Sequence, residues 1–291
     1  MTSPLIATRI GPALSSGARA GTVGGISTKT LRRVGGCLAA GSLAAAAVPL
    51  IQGAVLWATE RPTVPGPHPL DRVHAAAGDI DVPLGMVWLG DSLASGVGAD
   101  TADQAFPARA ASLYGATLGR SVAITSLAEP GACTADVIDR QLPVAIDRLA
   151  PGMMAVLMVG SNDVATLTTP RRFRRGYGGM LEALVATGAV VVAVGLPDIG
   201  AVTAMRQPLR GLAGWVGRRA SRQVRRLATE HGAHFLEIDI RPPRGTASTV
   251  FLAADRWHPN NDTYAMWADG FVGLMERVSL DPIGCPASVS A

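Results

Sequence analysis

Five short apolar runs, Gly85–Leu89, Val122–Ser126, Met153–Val159, Ala189–Val194 and Ala233–Ile238, alternate with segments of helical periodicity, clearest at Arg171–Thr187 and Leu209–His231. This alternation constrains the fold more than any other feature of the chain. The runs are mostly unpunctuated and often β-branched, as strands covered on both faces tend to be. A parallel sheet covered by helices on each face follows. The 291 residues with 48% apolar content supply enough material for one large core.

In open parallel sheets, ligands bind beyond the carboxyl ends of the strands. Gly90-Asp91-Ser92-Leu93 directly follows the first run and Gly160-Ser161-Asn162-Asp163 the third, so both fall on one edge. The segment after the second run carries Gly131 to the same edge. Asp255-Arg256-Trp257-His258 lies on a loop before a last helix expected over 260–277.

These residue types are the parts of a serine hydrolase. Ser92 is the candidate nucleophile, followed by the small residues Ala94, Ser95 and Gly96 that leave room for a substrate. A serine after a strand also serves as a helix cap, so the partners decide its meaning. His258 is the candidate base. Asp255, three residues earlier on a turn, can hold the imidazole in the tautomer that leaves Nε2 facing the serine. Asn162 offers an uncharged N–H donor for a developing oxyanion, alongside the amides of Ser92 and Gly131. Of the other histidines, His68 and His74 fall in a proline-rich stretch, His231 ends a helix and His234 opens a strand, and none has such company.

The sequence resembles the SGNH hydrolases, the GDSL family of esterases and lipases. Gly90-Asp91-Ser92-Leu93 is similar to the first consensus block, Gly131 in Glu129-Pro130-Gly131-Ala132 to the second, Gly160-Ser161-Asn162-Asp163 to the third, and Asp255-Arg256-Trp257-His258-Pro259-Asn260 to the last. The resemblance covers about 82–277. It implies an α/β fold, a three-layer α/β/α sandwich with a five-stranded parallel sheet of flavodoxin-like kind, and hydrolysis of esters or thioesters without a cofactor. It also implies a triad of Ser92, His258 and Asp255, with Ser92, Gly131 and Asn162 forming the oxyanion hole. Thr263 departs from the pattern, standing where many members have glycine. No metal site is expected, since no His/Cys/Asp cluster has ligand spacing.

The remaining 83 residues at the N-terminus do not read as a fold. Val34–Ala58 is a run of 25 residues without a charge, about 37 Å long if helical, enough to cross a bilayer core. Lys29, Arg32 and Arg33 precede it, which places the N-terminus in the cytoplasm and the hydrolase outside. The run is a signal-anchor or, if cleaved, a signal peptide. The expected organisation is a basic N-terminus over 1–33, the apolar segment over 34–58, a Pro-rich linker over 59–83, the hydrolase domain over 84–278 and a tail over 279–291.

Charge is unevenly placed. Residues 1–61 hold six basic groups against one acid, which leaves 20 basic and 21 acidic groups of the chain's 26 and 22 for the rest. A nucleic-acid partner thereby loses its main support, and no obligate protein partner is evident. Export to an oxidising compartment permits a disulfide between Cys133 and Cys285; two buried thiols are the alternative. If formed, the bridge stiffens the loop of Gly131. Two arginine-rich helices, around Arg171–Arg175 and Arg218–Arg226, read as solvated faces or as surfaces attracted to anionic lipid headgroups. The expectation is an exported esterase acting on lipid or short-chain acyl esters, at the cell membrane or secreted. The alternatives are an O-acetylesterase of envelope carbohydrate and a non-catalytic binding module of the same fold.

Overall fold

A computed structural model describes residues 48–55, 58–60, 62–74, 82–238 and 248–280. Its centre is a six-stranded sheet of β1 (Arg72–His74), β2 (Leu84–Gly90), β3 (Val122–Ser126), β4 (Met154–Met158), β5 (Val190–Val194) and β6 (His234–Leu236), in the order β1-β3-β2-β4-β5-β6. All neighbours are parallel except β1 with β3. The chain runs from β2 outward to β3, then returns past β2 to β4. That reversal places a topological switch point at the carboxyl end of β2, where such sheets open a crevice.

Side chains of β2 and β4 alternate between two cores. Met86, Trp88, Met154, Val156 and Met158 face one side; Val87, Leu89, Ala155, Leu157 and Val159 face the other. The first core is closed by α1 (Phe106–Leu118) and the final helix α7 (Asn261–Leu280). Its aromatic rings meet edge to face, with Trp88–Phe106 centroids 5.1 Å apart and Phe106–Trp267 5.8 Å apart. The second core is mainly aliphatic. It is closed by α2 (Thr134–Asp136), a π-helical turn (Val137–Gln141), α3 (Leu142–Arg148), α5 (Pro170–Val185) and α6 (Leu209–Glu230), with the short α4 (Ser161–Ala165) following β4.

The five parallel strands fall on the five apolar runs. The sheet nevertheless has six strands, not the five expected. The extra one, β1, comes from the Pro-rich stretch and pairs with the free edge of β3, Val73 opposite Ala123. Three residues with Val73 56% exposed carry no strand pattern of their own; the pairing is supplied by β3. Leu70, 1% exposed, and the Asp71 carboxylate, which accepts the Ser126 amide at 2.5 Å, fix it in place. Residues 62–74 are therefore not a free tether but a strap. Gly98 N donates to Pro65 O at 2.9 Å and the His68 ring nitrogen lies 2.9 Å from Ala99 O, so the strap lies against the loop that follows β2.

Of the uncharged run 34–58, only 48–55 and 58 lie among the described residues, and 48–55 is helical. Among the described residues no helix is long and apolar enough to cross a membrane. The tail 281–291, with Cys285, lies outside them.

Candidate active site

Three loops leave the carboxyl ends of β3, β2 and β4, adjacent strands of the sheet, and are laced together by backbone bonds. Asp91 N donates to Met158 O at 3.2 Å and Glu129 N to Gly90 O at 3.1 Å. The Asn162 side-chain amide donates to Ala132 O at 3.0 Å. Residues 90–93, 129–132 and 160–163 thus form one surface.

Gly90 is the pivot of that surface. At φ +151°, any Cβ would stand 1.9 Å from Met158 O, so the strand can turn here only without a side chain. Its peptide is gripped by Gln141, whose Oε1 accepts from Gly90 N at 2.8 Å while its Nε2 donates to Gly90 O at 2.9 Å. Gln141 is 2% exposed and sits at the end of the π-helical turn. Asp91, 1% exposed, accepts the Leu93 amide at 3.0 Å and orders the turn carrying Ser92. Burial pushes its carboxyl up to about 7; the Leu93 amide opposes the shift and the nearby Asp163 carboxylate adds to it. Asp163 in turn accepts from Thr134 N at 2.8 Å and Thr134 Oγ1 at 2.9 Å, fixing the start of α2.

Asp255-Arg256-Trp257-His258 is a tight turn approaching from the α7 side. Asp255 Oδ1 accepts from the amides of Trp257 at 2.9 Å and His258 at 3.0 Å. Asp255 Oδ2 lies 2.6 Å from His258 Nδ1, and His258 Nε2 lies 3.2 Å from Ser92 Oγ. A continuous chain of hydrogen bonds runs from carboxylate through imidazole to hydroxyl. Burial pushes the Asp255 carboxyl up, but the bonds from the His258 ring and the two amides outweigh it and hold the group below its ordinary value. It stays an anion that fixes Nδ1 as the protonated nitrogen and leaves Nε2 to accept the serine proton.

The turn is docked by residues without a pattern in the sequence. Gly98, at φ +98°, lets the 258–259 segment come close, since a Cβ there would stand 2.2 Å from Pro259 O. The buried Tyr264 hydroxyl donates to Val97 O at 2.6 Å, joining α7 to the Ser92 loop. Thr263 Oγ1 donates to Phe251 O at 2.7 Å, a bond that glycine cannot make.

Ser92, His258 and Asp255 are thus brought together, and Gly131 and Asn162 lie on the neighbouring loops. Among the described residues no protein acceptor takes the amides of Ser92 or Gly131. Cys133 is half-buried with Sγ 3.6 Å from Thr166 Oγ1, and burial raises its thiol; Cys285 lies outside the described residues. Next to His258 in the chain, Trp257 packs against a small buried cluster of Ile199, Val202 and Met205, on which Val164, Leu209 and Ala213 also pack.

A profile of the GDSL-like Lipase/Acylhydrolase family matches residues 88–266, which span all four blocks. The chain belongs to the GDSL-like lipase/acylhydrolase family. Its sequence is 29% identical over 189 residues to the GDSL-like esterase Rv1075c of Mycobacterium tuberculosis, covering 63% of this chain. The chain spans 59% of the length of that curated relative. Among solved structures it is similar to a lipolytic G-D-S-L family protein of Veillonella parvula, with TM-score 0.52, 19% identity, and 67% of this chain and 99% of that one covered. It is also similar to the psychrotrophic esterase EstA of a Pseudoalteromonas species, with TM-score 0.54, 12% identity, and coverage of 68% and 99%. At these identities the likeness is one of fold.

Proposed function

We propose that this family member is an exported, membrane-tethered carboxylesterase that cleaves lipid or short-chain acyl esters through an acyl-enzyme. Ser92 Oγ attacks the ester carbonyl carbon while His258 Nε2 takes its proton. The carbonyl π electrons move onto oxygen, where the amides of Ser92 and Gly131 and the Asn162 Nδ2 donate. Collapse of this intermediate breaks the bond to the alkoxide, which leaves with the proton from His258. Water then repeats the sequence, His258 taking its proton, and frees the acid and Ser92. Asp255 stays ionised and steadies the imidazolium formed in each half.

The observation that carries this reading is the hydrogen-bonded chain from Asp255 Oδ2 to His258 Nδ1 at 2.6 Å and from His258 Nε2 to Ser92 Oγ at 3.2 Å. Export and tethering are supported by the uncharged run 34–58 with Lys29, Arg32 and Arg33 before it. Hydrolysis of p-nitrophenyl esters of increasing acyl length tests the reading. Ser92→Ala is expected to lower kcat by roughly 10⁴-fold or more with its fold intact. Equal rates for the two proteins would refute it, and the acyl-length profile separates lipid from short-chain esters.

A further inference from the structure

α6 has two faces of opposite chemistry. Gly214, Gly217, Val224, Leu227 and Ala228 are buried against the domain. Leu212, Trp215, Arg219, Arg222 and Arg226 recur at the spacing that puts them in one stripe about 80° wide on an α-helix, and all are exposed. Leu212 is 49% and Trp215 52% exposed. Arg219 lies over the Trp215 ring at 5.2 Å. Flanking arginines are spoken for, Arg218 by Asp198 and Arg225 by Glu237. Among the described residues, Arg222 and Arg226 have no ion pair. The only acid in the helix is its last residue, Glu230.

The apolar end of this stripe meets the end of the uncharged N-terminal run. Gln52, in helix 48–55, donates from Nε2 to Gln207 O at 2.7 Å and accepts the Leu209 amide at 3.1 Å. That short helix exposes Leu50, Ile51 and Val55 by 68%, 61% and 57%. Exposed aliphatic residues, a tryptophan and then exposed arginines are the sequence of groups met on passing from acyl chains to headgroups. Guanidinium groups pair bidentately with phosphate.

We infer that this face of α6 docks on an anionic lipid surface, with Leu212 and Trp215 at the headgroup boundary and Arg219, Arg222 and Arg226 on lipid phosphates. The inference builds on the reading of 34–58 as a membrane anchor and adds a second contact at the end of the anchor. Leu209 and Ala213, at the same end of α6, pack in one cluster with Trp257, the residue before His258. Docking therefore places the bilayer, a source of lipid esters, at the end of α6 that packs near the His258 turn.

The test uses the full chain with vesicles of phosphatidylcholine alone or mixed with phosphatidylglycerol, the lipids carrying bromine on their acyl chains. Flotation reports whether the chain is held at all. The quenching that disappears in Trp215→Phe reports docking. Flotation on both vesicles, with Trp215 quenched only on the anionic ones and released by Arg219→Gln/Arg222→Gln/Arg226→Gln, is the expected result. Flotation on anionic vesicles alone, lost in the triple variant, would uphold docking and defeat the anchor. There the partition coefficient should fall roughly a hundredfold, at about fivefold per arginine. Flotation on both with Trp215 unquenched, or quenched alike on neutral vesicles or in the triple variant, overturns docking and leaves the anchor standing. Flotation on anionic vesicles alone that the triple variant leaves unchanged also overturns it. Flotation on neither overturns both.

Discussion

The two halves of the proposed triad are held in different ways. Ser92 is positioned by the sheet. Its turn hangs from Gly90, whose peptide is bonded to Gln141 and Glu129, and from Asp91, bonded to Met158 of the next strand. His258 is positioned by its own turn. Asp255 collects two amides and the imidazole within four residues, and the helix that follows the turn, α7, is joined to the Ser92 loop by Tyr264 to Val97. A nucleophile must be fixed against backbone donors that the strands deliver, whereas a base needs only one tautomer and one direction. The buried carboxyls show the same contrast: Asp91 is pushed up by burial, and Asp255 is held down by its donors.

Replacing Asp255 with Asn breaks the base half at its centre. The Asn carbonyl oxygen can still accept the Trp257 and His258 amides, so the turn persists. Its NH2 faces the ring instead of an anion, and the imidazole then presents a proton to Ser92. On esters the expected loss in kcat is about 10⁴-fold, with KM little changed and circular dichroism unaltered. A loss below tenfold would mean that the carboxylate does not set the tautomer.

The pH dependence of stability separates the halves. In the folded protein Asp91 keeps its proton up to about 7, against an ordinary value of 3.8. Between those values the unfolded chain has lost a proton that the folded one retains, so stability falls as pH rises through the window. Asp255 has the opposite sign. Its lowered value contributes stability that is present above the ordinary carboxylate range and lost as pH falls below it. Tm measured from pH 3 to 8, a range of roughly the width these shifts require, should show the neutral-side decline flattened in Asp91→Asn. The difference over the window is on the order of a few kcal/mol. The acid-side decline should be flattened in Asp255→Asn. A parallel Tm profile for wild type and Asp91→Asn would show that Asp91 is ionised when folded.

How much of this was legible in the sequence follows the same division. Runs of Val, Ile, Leu and Met announce strands buried on both faces, and motif residues at their ends follow from the rule that strands deliver ligands at one edge. That Ser92, Asp255 and His258 would meet, with Asn162 on a neighbouring loop, could be expected because each is a polar side chain next to a recognisable element. β1 was not, since Arg72–His74 is a strand only because β3 has an open edge. Gln141 was not, because a glutamine in a helix carries no mark of the peptide it will grip 51 residues away. Thr263 reads as a departure from the family pattern, yet its hydroxyl has a defined partner in Phe251 O. Such roles depend on long-range partners, which local periodicity does not encode.

The sharpest comparison pairs one buried support from each half. Gln141→Leu keeps nearly the same volume but leaves the N–H and C=O of Gly90 without the side chain that now satisfies them. Glu129 N still reaches Gly90 O, so the unmet group is chiefly the Gly90 N–H, a cost of about 1–3 kcal/mol. Because Gly90 leads directly into Asp91 and Ser92, the displacement is passed to the nucleophile and its amide. A fall in kcat of about tenfold is expected, since small misplacements of a reacting group cost that much or more. KM should stay near wild type, because the buried Gln141 presents no surface to substrate. Tyr264→Phe removes the bond to Val97 O at a similar buried site, at a cost of about 1 kcal/mol. There the base turn still has its internal bonds to Asp255, so Tm should drop by a few degrees while kcat changes less than in Gln141→Leu. Steady-state kinetics and thermal melts of the two variants decide between the halves. If Tyr264→Phe lowers kcat as much as Gln141→Leu does, the base turn depends on the domain as tightly as the nucleophile does, and the proposed difference disappears.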